Sequence, residues 1–439
     1  MHTAIAVLAL SQLAGVLAFP WMSAPGAEEA TRAYLERRAN SNSTSSTAPT
    51  AGNNNPHLDG LTTRAASNVQ ASDLRPDSAH PFVAPEPSDQ RGPCPGLNVM
   101  ANYGYLPRNG IITAEQAISA SKDVFNMDYD LGAFLSYEAV AFGGNLATGV
   151  FSIGGEDART YSSTGIGSKE FGPQFGLDAH GRVEGDASAT RQDYNLNNGD
   201  NHSGIPSWFA RLVDAAKVNG GEFNHAATNA LYGQNARLSL ANNPTSVWQA
   251  HTIVVTLAEY GLITEFFANG TIGDGGVANY DSVAPFMGFQ TNNNGTVCAV
   301  FEHFPKNWFR RSTPYGLVNG VVGNLVPTFL SGPLLPNPLQ DYFTTADIGG
   351  LGCALYQHFK NGLTVEMTGQ SQAYTAQMNA YLQQKLLPAL PSFLTCDLLQ
   401  NVPQTDNATL PSSPTVVLDD SMQATGPGGE QKYSCYAGL

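Results

Sequence analysis

Residues 91–98 read Arg-Gly-Pro-Cys-Pro-Gly-Leu-Asn, and residues 101–110 read Ala-Asn-Tyr-Gly-Tyr-Leu-Pro-Arg-Asn-Gly. Cys94 lies just before a predicted helix start, because Pro95 is suited to the first turn of a helix. The positive end of a helix stabilises a thiolate, and the flanking prolines hold the sulfur in one orientation. The pattern therefore indicates a rigid thiolate that can bind iron. An unpaired surface thiol is the alternative that the Pro-Cys-Pro triplet leaves open.

The composition indicates an acidic globular protein. The 439 residues carry a net charge of −15, the pI is about 4.9, and 13% of the residues are charged, against about 25% in an average protein. Nucleic acids and anionic membranes bind basic surfaces, so we expect neither as a partner. After the N-terminal segment, no apolar run reaches the roughly 18 residues that a membrane span requires.

The N-terminus predicts secretion. Residues 4–17 form an apolar run, and residues 16–18 read Val-Leu-Ala, which is typical of a signal-peptide cleavage site. We therefore expect residues 1–18 to be a signal peptide, with a buried first helix as the alternative, and residues 19–75 to be a low-complexity, disordered pro-region. The Asn-x-Ser/Thr sequons for N-glycosylation agree with export. We expect N-glycans at Asn201, Asn269, Asn294 and Asn407, and a further sequon lies at Asn42.

The length and the composition of the chain ends together indicate a single folded domain. At about 150 residues per domain, this length alone indicates about three domains. Both ends of the chain, however, lack the apolar residues that a core requires. We therefore expect a single helical domain at residues 76–400, followed by a polar C-terminal tail at residues 401–439.

The apolar spacing within this domain is that of helices. Thr113 and Gln116 are the ends of a capping box that opens one helix, and another apolar stripe begins at Leu131. Residues 247–262 are apolar and nearly uncharged, which predicts a buried helix. A further helical stripe covers residues 374–386. Strand-like alternation is rare and short, so the predicted fold class is mostly α, with long loops.

The number of cysteines is odd, since the chain has five. In an oxidising compartment four of them can pair. Cys94 lies far upstream of the others, so we expect the remaining four to pair among themselves. The preferred bridge joins Cys353 and Cys396, where it would contribute about 4 kcal/mol by loop entropy. Cys298 and Cys435 are then the remaining pair.

The whole cysteine block resembles that of the heme-thiolate peroxidase family, which comprises the fungal chloroperoxidases and unspecific peroxygenases. The resemblance extends from about His80 to about Cys396. It implies a chloroperoxidase-like fold, a single heme-binding helical domain, with Cys94 as the axial ligand of heme b. A thiolate ligand pushes electron density onto the iron and favours cleavage of the O–O bond.

A second block, at residues 184–193, reads Glu-Gly-Asp-Ala-Ser-Ala-Thr-Arg-Gln-Asp. Its oxygen-rich side chains suit a hard cation such as Mg²⁺, although a solvated acidic loop has the same composition. The block resembles the EGDxS motif of the peroxygenases, which implies Mg²⁺ bound by Glu184, the Gly185 carbonyl and the Ser188 hydroxyl. Chloroperoxidases and short peroxygenases have a catalytic histidine at the position of Gly185. His180 is expected to make a structural hydrogen bond rather than bind metal.

Glu259 is the candidate acid–base group. It is the one formally charged residue in the apolar segment 247–262, and a carboxyl in such surroundings has a raised pKa that suits proton exchange with H2O2. A position at the solvent edge of the helix is the alternative that periodicity leaves open. The resemblance to the family implies that Glu259 is the catalytic glutamate.

The chain departs from the family pattern near this glutamate. EGD-type peroxygenases have an arginine seven residues earlier, where this chain has Thr252, with His251 beside it. Both are candidate auxiliary residues, and His251 would reach the pocket only if the helix were locally rotated. The predicted pocket is also less aromatic than is common in the family, since its equivalent positions are Val183, Val255 and Leu262.

Taken together, the resemblance implies a secreted enzyme that contains heme b and Mg²⁺ and uses H2O2 to oxygenate or oxidise small hydrophobic or aromatic substrates. Two alternatives stay open. One is a specialised peroxidase or haloperoxidase of secondary metabolism on the same scaffold. The other is a catalytically impaired, heme-binding glycoprotein, which the missing arginine makes conceivable.

Overall fold

The computed structural model describes residues 69–183, 185–292, 296–320, 328, 331–332 and 370–390. Within these residues the fold is mostly helical, as the sequence predicts, and no helix among them is long and apolar enough to cross a membrane. The helices are α1 Pro95–Asn102, α2 Ala114–Phe125, α3 Tyr129–Gly143, α4 Pro206–Lys217, α5 His225–Asn242, α6 Ala250–Phe266, α7 Tyr280–Val283, α8 Leu317–Gly320 and α9 Gln372–Tyr381.

Short strands join the loops between the helices. They are β1 Leu74–Arg75, β2 Ile111–Thr113, β3 Val150–Ser152, β4 Phe289–Thr291, β5 Val297–Ala299 and β6 Trp308–Phe309. The pairs are all antiparallel: β1 with β6, β2 with β3, and β4 with β5. In their registers, Ile112 lies opposite Phe151, and Gln290 lies opposite Cys298. In the described part of the chain, these strands connect loops and do not form a larger sheet.

The folded part begins before the predicted boundary at residue 76. Residues 69–75 were assigned to the low-complexity segment, but β1 lies within them and pairs with β6. Arg75 is buried, and its guanidinium Nη2 donates to Asp123 Oδ1 at 2.6 Å. A single buried arginine in a polar segment gives little signal in the sequence, because its partner is far away along the chain.

α2 begins as its sequence predicts. Thr113 Oγ1 accepts a hydrogen bond from the Gln116 N–H at 3.1 Å, and Gln116 Oε1 accepts one from the Thr113 N–H at 2.9 Å. These two bonds are the predicted capping box. After Phe125, Asn126 takes the left-handed conformation (φ 54°) that commonly ends a helix. α2 packs against α3, which follows the stripe predicted from Leu131.

α6 is the predicted buried helix, but it begins at Ala250 rather than at Val247. The Val247 N–H donates to Asp186 Oδ2 at 2.8 Å, so this residue belongs to a contact with a neighbouring loop. Gln249 is the N-cap residue, and its extended backbone (φ −82°, ψ 158°) precedes the first turn. Apolar character alone did not separate Val247 from the helix. α6 packs against α5, and α5 also packs against α4.

The predicted C-terminal stripe is confirmed as a helix. α9 continues into a π-helical turn at Leu382–Leu386, which packs on α3, and Pro388 lies in the 3-10 turn that follows. The disulfides stay predictions: Cys298 is buried in β5, and the other cysteines of the two pairs, Cys353, Cys396 and Cys435, lie outside the described residues.

The structure argues against a glycan at Asn201. The residue is 6% exposed, and a glycosylated asparagine needs a surface position. Asn269 also uses its amide within the fold: Nδ2 donates to Asn307 O at 3.1 Å, and Oδ1 accepts from the Phe309 N–H at 2.9 Å. The sequon pattern carries no information about burial. The remaining sequons, Asn42, Asn294 and Asn407, lie outside the described residues.

A buried charge cluster joins α5, α6 and the loop after β6. Glu265 Oε1 lies 2.9 Å from His225 Nε2, and Glu265 Oε2 accepts a hydrogen bond from Arg311 Nη1 at 2.8 Å. Burial raises the pKa of Glu265, but the hydrogen bond with His225 and the charge of Arg311 outweigh burial and lower the pKa to about 2. Removing one partner would therefore leave a buried charge without compensation.

We expect this cluster to make the free energy of unfolding depend on pH in the acidic range. The pKa of Glu265 is about 2 in the folded protein, against an ordinary value of 4.5, so its contribution is complete above pH 4.5 and is lost as the pH falls towards 2. By linkage, the contribution is about 3 kcal/mol. In urea unfolding, Glu265→Gln should be less stable than the wild type at neutral pH, and the difference should shrink on acidification. A difference that stays constant with pH contradicts this account.

Candidate active site

Cys94 is held at the N-terminus of α1 by its neighbours in the sequence. It is the N-cap residue, its backbone is extended (φ −86°, ψ 106°), and its side chain makes no capping hydrogen bond. Asn98 closes the loop before it: Asn98 Oδ1 accepts from the Gly92 N–H at 3.1 Å, and Asn98 Nδ2 donates to Gly92 O at 2.8 Å. The sulfur therefore stands on a fixed backbone at the positive end of a helix.

The rest of the cysteine block fixes this loop against the core. Arg91 Nε donates to Asn102 Oδ1 at 2.8 Å, and Arg91 Nη1 donates to Arg108 O at 2.8 Å. Gly92 permits a close approach that a larger residue would prevent, because a Cβ there would lie 1.9 Å from Ile153 O. The residues around the cysteine thus have structural roles that explain their types.

Cys94 lies in the wall of an open cavity whose empty space, with the solvent at its mouth included, is about 1270 Å³. α1, α2, α3 and α6 contribute to its walls, and most of the lining side chains are apolar. The charged side chains that line it, within the described residues, are Glu138, Arg191 and Glu259.

The heme implied by the sequence resemblance fits this cavity. Cys94 is exposed and presents a soft sulfur ligand in a mostly apolar wall. Gly96 keeps the space beside the sulfur open, since a Cβ at that position would lie 4.0 Å from Cys94 Sγ and 3.4 Å from the Phe125 ring. A flat, largely apolar macrocycle bound through its iron therefore finds the ligand and the surface that it needs.

Glu259 faces the same cavity from α6. Its carboxylate accepts a hydrogen bond from the Ala189 N–H at 2.7 Å and another from Ser188 Oγ at 3.2 Å. Burial raises the pKa of Glu259 to about 7, although the two hydrogen bonds and the charge of Arg191 act to lower it. A group with a pKa near 7 can both take up and return a proton. The cavity-facing residues of α6 follow helical spacing and are Val255, Ala258, Glu259, Leu262, Ile263 and Phe266.

The loop at residues 183–193 lies directly against α6. A Cβ at Gly185 would lie 2.7 Å from Thr256 Oγ1 and 3.1 Å from Thr252 Cβ. This packing leaves no space for a side chain at Gly185, so the histidine that chloroperoxidases have at the corresponding position of the motif would not fit here. The close contact also brings Ser188 to the glutamate on α6.

Asp186 has a structural role in the same loop. It is buried, and its Oδ2 accepts a hydrogen bond from the Val247 N–H at 2.8 Å. His180 Nε2 lies 3.1 Å from the same oxygen, and the His180 ring stacks on Tyr194 with centroids 5.1 Å apart. The structure thus places His180 in a structural hydrogen bond, as expected.

The structure describes part of the predicted magnesium site. Gly185 and Ser188 are described, whereas Glu184 lies outside the described residues. The Ser188 hydroxyl donates to Glu259. Within the described residues, His, Cys, Asp and Glu side chains form no group of three or more that could hold a metal ion.

The cavity lining includes neither Thr252 nor His251. Thr252 lies beneath Gly185, and its hydroxyl donates to Gln249 O at 3.1 Å in the first turn of α6. His251 is fully buried and stacks on Phe142, with ring centroids 4.0 Å apart at an angle of 11°. The helix rotation that would bring His251 into the pocket is not found.

An arginine that the sequence patterns did not reveal lies in the cavity wall. Arg191 is 2% exposed, and its Nη2 donates to Glu302 Oε1 at 3.2 Å. The same oxygen accepts a hydrogen bond from Asn98 Nδ2 at 3.0 Å. Glu302 therefore links Asn98 in α1 to Arg191 in the loop at residues 183–193. Arg191 is part of the second sequence block, but its partner is 111 residues away in the chain.

A second missed residue is Glu138 in α3. It is fully buried and lines the cavity. Its signal was present in the sequence, because residues 131–142 contain no other charged side chain. This is the same signal that identified Glu259.

Comparison with known proteins identifies the family of the chain. Residues 80–313 match the family described as peroxidase, family 2. An aromatic peroxygenase of Coprinellus radians is 38% identical over 199 residues, which is 45% of this chain and 73% of that protein. An aromatic peroxygenase of Cyclocybe aegerita is 34% identical over 239 residues, 54% of this chain and 59% of that protein.

A third relative comes from a biosynthetic context. The dothistromin biosynthesis peroxidase of Dothistroma septosporum is 34% identical over 250 residues, covering 55% of this chain and 57% of that protein. The chain therefore spans less than two thirds of this relative and of the Cyclocybe protein. The family match itself covers more than half of the chain and contains Cys94, residues 184–193 and Glu259. The chain belongs to peroxidase family 2, the family of heme-thiolate peroxidases.

Proposed function

We propose that the protein is a peroxygenase that uses H2O2 to insert oxygen into small aromatic or hydrophobic molecules. Its family membership makes it an H2O2-dependent heme peroxidase or peroxygenase. In the proposal, Cys94 is the iron ligand and Glu259 is the acid–base group. The observation that supports these roles is that a thiol and a buried carboxyl with a pKa near 7 line one apolar cavity.

Cys94 would hold the cofactor. When bound, heme b supplies a redox-active iron, and thiolate ligation favours cleavage of the O–O bond of peroxide. The chain's own contribution is to present the sulfur in one orientation, through the hydrogen bonds between Asn98 and Gly92. The N-terminus of α1 favours the thiolate over the thiol, because the helix dipole places positive charge there.

Glu259 would move the proton that uneven cleavage of H2O2 requires. Its carboxylate takes a proton from one peroxide oxygen and returns it to the other oxygen, which leaves as water. Ser188 and Ala189 each hold one carboxylate oxygen, so the group keeps a fixed direction. The positive charge of Arg191 favours the ionised form that accepts the proton.

The cavity lining favours apolar substrates. Val183, Val255 and Leu262 line it, as the sequence predicts, and several phenylalanines also contribute. The names of two relatives, aromatic peroxygenases, support an aromatic substrate. The third relative is named as a biosynthetic peroxidase, which supports a specialised peroxidase of secondary metabolism as the second candidate function.

Isotopically labelled H2O2 tests the proposal. The heme-loaded protein is mixed with labelled peroxide and naphthalene, and the products are analysed by mass spectrometry. Oxygenated naphthalene that carries the label is the expected result. If a phenol replaces naphthalene, coupled products without the label would instead favour a one-electron peroxidase. If chloride is added, chlorinated products would favour a haloperoxidase. No product of any kind would favour an impaired heme-binding protein.

We also propose that residues 184–188 bind Mg²⁺ next to the cofactor. The support is the motif and the position of Ser188, whose oxygen keeps lone pairs available while its hydrogen is donated to Glu259. Ser188→Ala is expected to weaken Mg²⁺ binding by about tenfold or more, since even partners outside the ligand set change metal affinity by about 10–100-fold. Elemental analysis of the purified protein measures this. Wild-type protein with no stoichiometric cation contradicts the site.

Secretion is part of the same proposal. The apolar run and the cleavage pattern in residues 1–18 support a signal peptide that is removed from the exported protein. N-terminal sequencing of the protein recovered from culture medium tests it. Protein that stays inside the cells with residues 1–18 attached would contradict it.

A further inference from the structure

The cavity contains two glutamates in different surroundings. Glu259 accepts hydrogen bonds from Ser188 and Ala189. Glu138 is 0% exposed, and neither Oε1 nor Oε2 has a hydrogen-bond partner among the described residues. Buried polar groups in folded proteins nearly always have a partner, and leaving one without a partner is costly. A carboxyl that lines a cavity and lacks a protein partner therefore points to a partner that enters the cavity.

The surroundings of Glu138 favour a neutral partner. Burial raises the pKa of Glu138 well above its ordinary value, which favours the neutral carboxylic acid over the carboxylate. A carboxylic acid has one O–H donor and a carbonyl acceptor. A hydroxyl group can likewise both donate and accept, so the two match in either direction. An ammonium group would instead require the ionised form, which burial opposes.

The cation in the described cavity lining is already engaged. Arg191 donates to Glu302 at 3.2 Å, to the Thr190 hydroxyl at 2.7 Å and to His202 O at 3.1 Å. The Arg191 guanidinium is therefore occupied by its ion pair with Glu302 and by these two hydrogen bonds. Glu138 remains available to form hydrogen bonds with a ligand.

The face of α3 around Glu138 can accept an aromatic ring. Leu135 and Ala139 line the cavity beside it, and Gly132 and Ser136 line the preceding turn. Leu135 offers an apolar surface, and the other three residues have small side chains. A ring that packs on this face can bring a polar substituent to Glu138.

We infer that Glu138 anchors the substrate, by hydrogen bonding to the hydroxyl group of a phenol or similar hydroxyl-bearing aromatic molecule and so fixing its orientation in the cavity. The inference rests on the proposed function, because it names the substrate class of the same cavity. It makes Glu138 a specificity-determining residue, whereas Glu259 acts on peroxide.

Equilibrium dialysis of the heme-loaded, full-length protein without H2O2 tests the anchor. The probes are 1-naphthol and naphthalene, which share a ring system and differ in one hydroxyl. Glu138→Leu should bind 1-naphthol about tenfold more weakly than the wild type, the effect of one lost hydrogen bond, while naphthalene binding stays within about twofold. Glu138→Gln is the matched variant, since an amide also donates and accepts, and it should keep most of the affinity for 1-naphthol.

Further measurements separate this role from a structural one. Glu138→Leu should have a melting temperature at or above that of the wild type without substrate, because an unpaired buried carboxyl is replaced by an apolar side chain. Equal affinity of the wild type and Glu138→Leu for 1-naphthol overturns the inference. Loss of heme from the variant overturns it too, because the carboxyl then binds the cofactor, and so does a clear fall in melting temperature.

The two proposals fail in different experiments. Dialysis contains no peroxide, so it reports on Glu138 alone. Oxygenation of naphthalene by the wild type does not involve a hydroxyl, so it reports on the proposed function. A wild type that oxygenates naphthalene but binds 1-naphthol no better than Glu138→Leu keeps the function and removes the anchor.

Discussion

Replacing Cys94 with alanine is expected to abolish oxygen transfer from H2O2 and to remove the red-shifted absorption band that a thiolate gives to reduced, CO-bound heme. The fold should survive, because the Cys94 side chain makes no capping hydrogen bond and its loop is held by Asn98 and Gly92. Absorption spectroscopy and product analysis measure the two losses, and circular dichroism measures the fold.

Cys94→Ser is the matched variant for this experiment. A serine hydroxyl has nearly the shape of the thiol but does not ionise in the range where a thiolate forms. We therefore expect it to lose the thiolate spectrum as the alanine variant does. A variant at this position that keeps both the band and the activity would show that another residue binds the iron.

Replacing Glu259 with glutamine is expected to slow the reaction with H2O2 by about 10²–10⁴-fold, the usual range for a general acid–base group. Glutamine preserves the size of the side chain and can still accept a hydrogen bond from Ala189, but it cannot exchange the proton. Rapid mixing of the heme-loaded protein with H2O2 measures the rate. The heme content and the CO-bound spectrum should stay unchanged, because the cysteine is untouched.

Glu265→Gln is the control for this second prediction. Glu265 lies on the same helix as Glu259 and is also buried, but it belongs to the cluster with His225 and Arg311. At neutral pH its variant should react with H2O2 like the wild type, although it is less stable. If Glu259→Gln also reacts like the wild type, another group transfers the proton and Glu259 only lines the wall.

The helices could be predicted from the sequence because their signals are local. The capping box at Thr113 opens α2 as expected, and the nearly uncharged apolar run forms most of the buried α6. The cysteine block could also be interpreted, since prolines around a cysteine at a helix start have a direct physical meaning. Glu259 was found because it is a single charge in an apolar helix, and the structure places it in the cavity wall.

The remaining features depend on contacts between distant parts of the chain. Helical angles placed Thr252 on the same face as Glu259, but they could not show that Gly185 covers that turn of α6. The partnership of Arg191 with Glu302 spans 111 residues and has no local pattern. The buried amide of Asn201 likewise looks like any other sequon in the sequence. In each case, the missing information was which loop packs on which helix.

The absorption spectrum of the reduced, CO-bound wild-type protein tests the central claim most directly. The claim is that a thiolate from Cys94, at the N-terminus of α1, binds heme iron in the cavity that Glu259 also lines. The predicted result is a Soret band shifted strongly to the red, as thiolate ligation produces. A Soret band at the position typical of nitrogen-ligated heme, in protein that has bound stoichiometric heme, would contradict it.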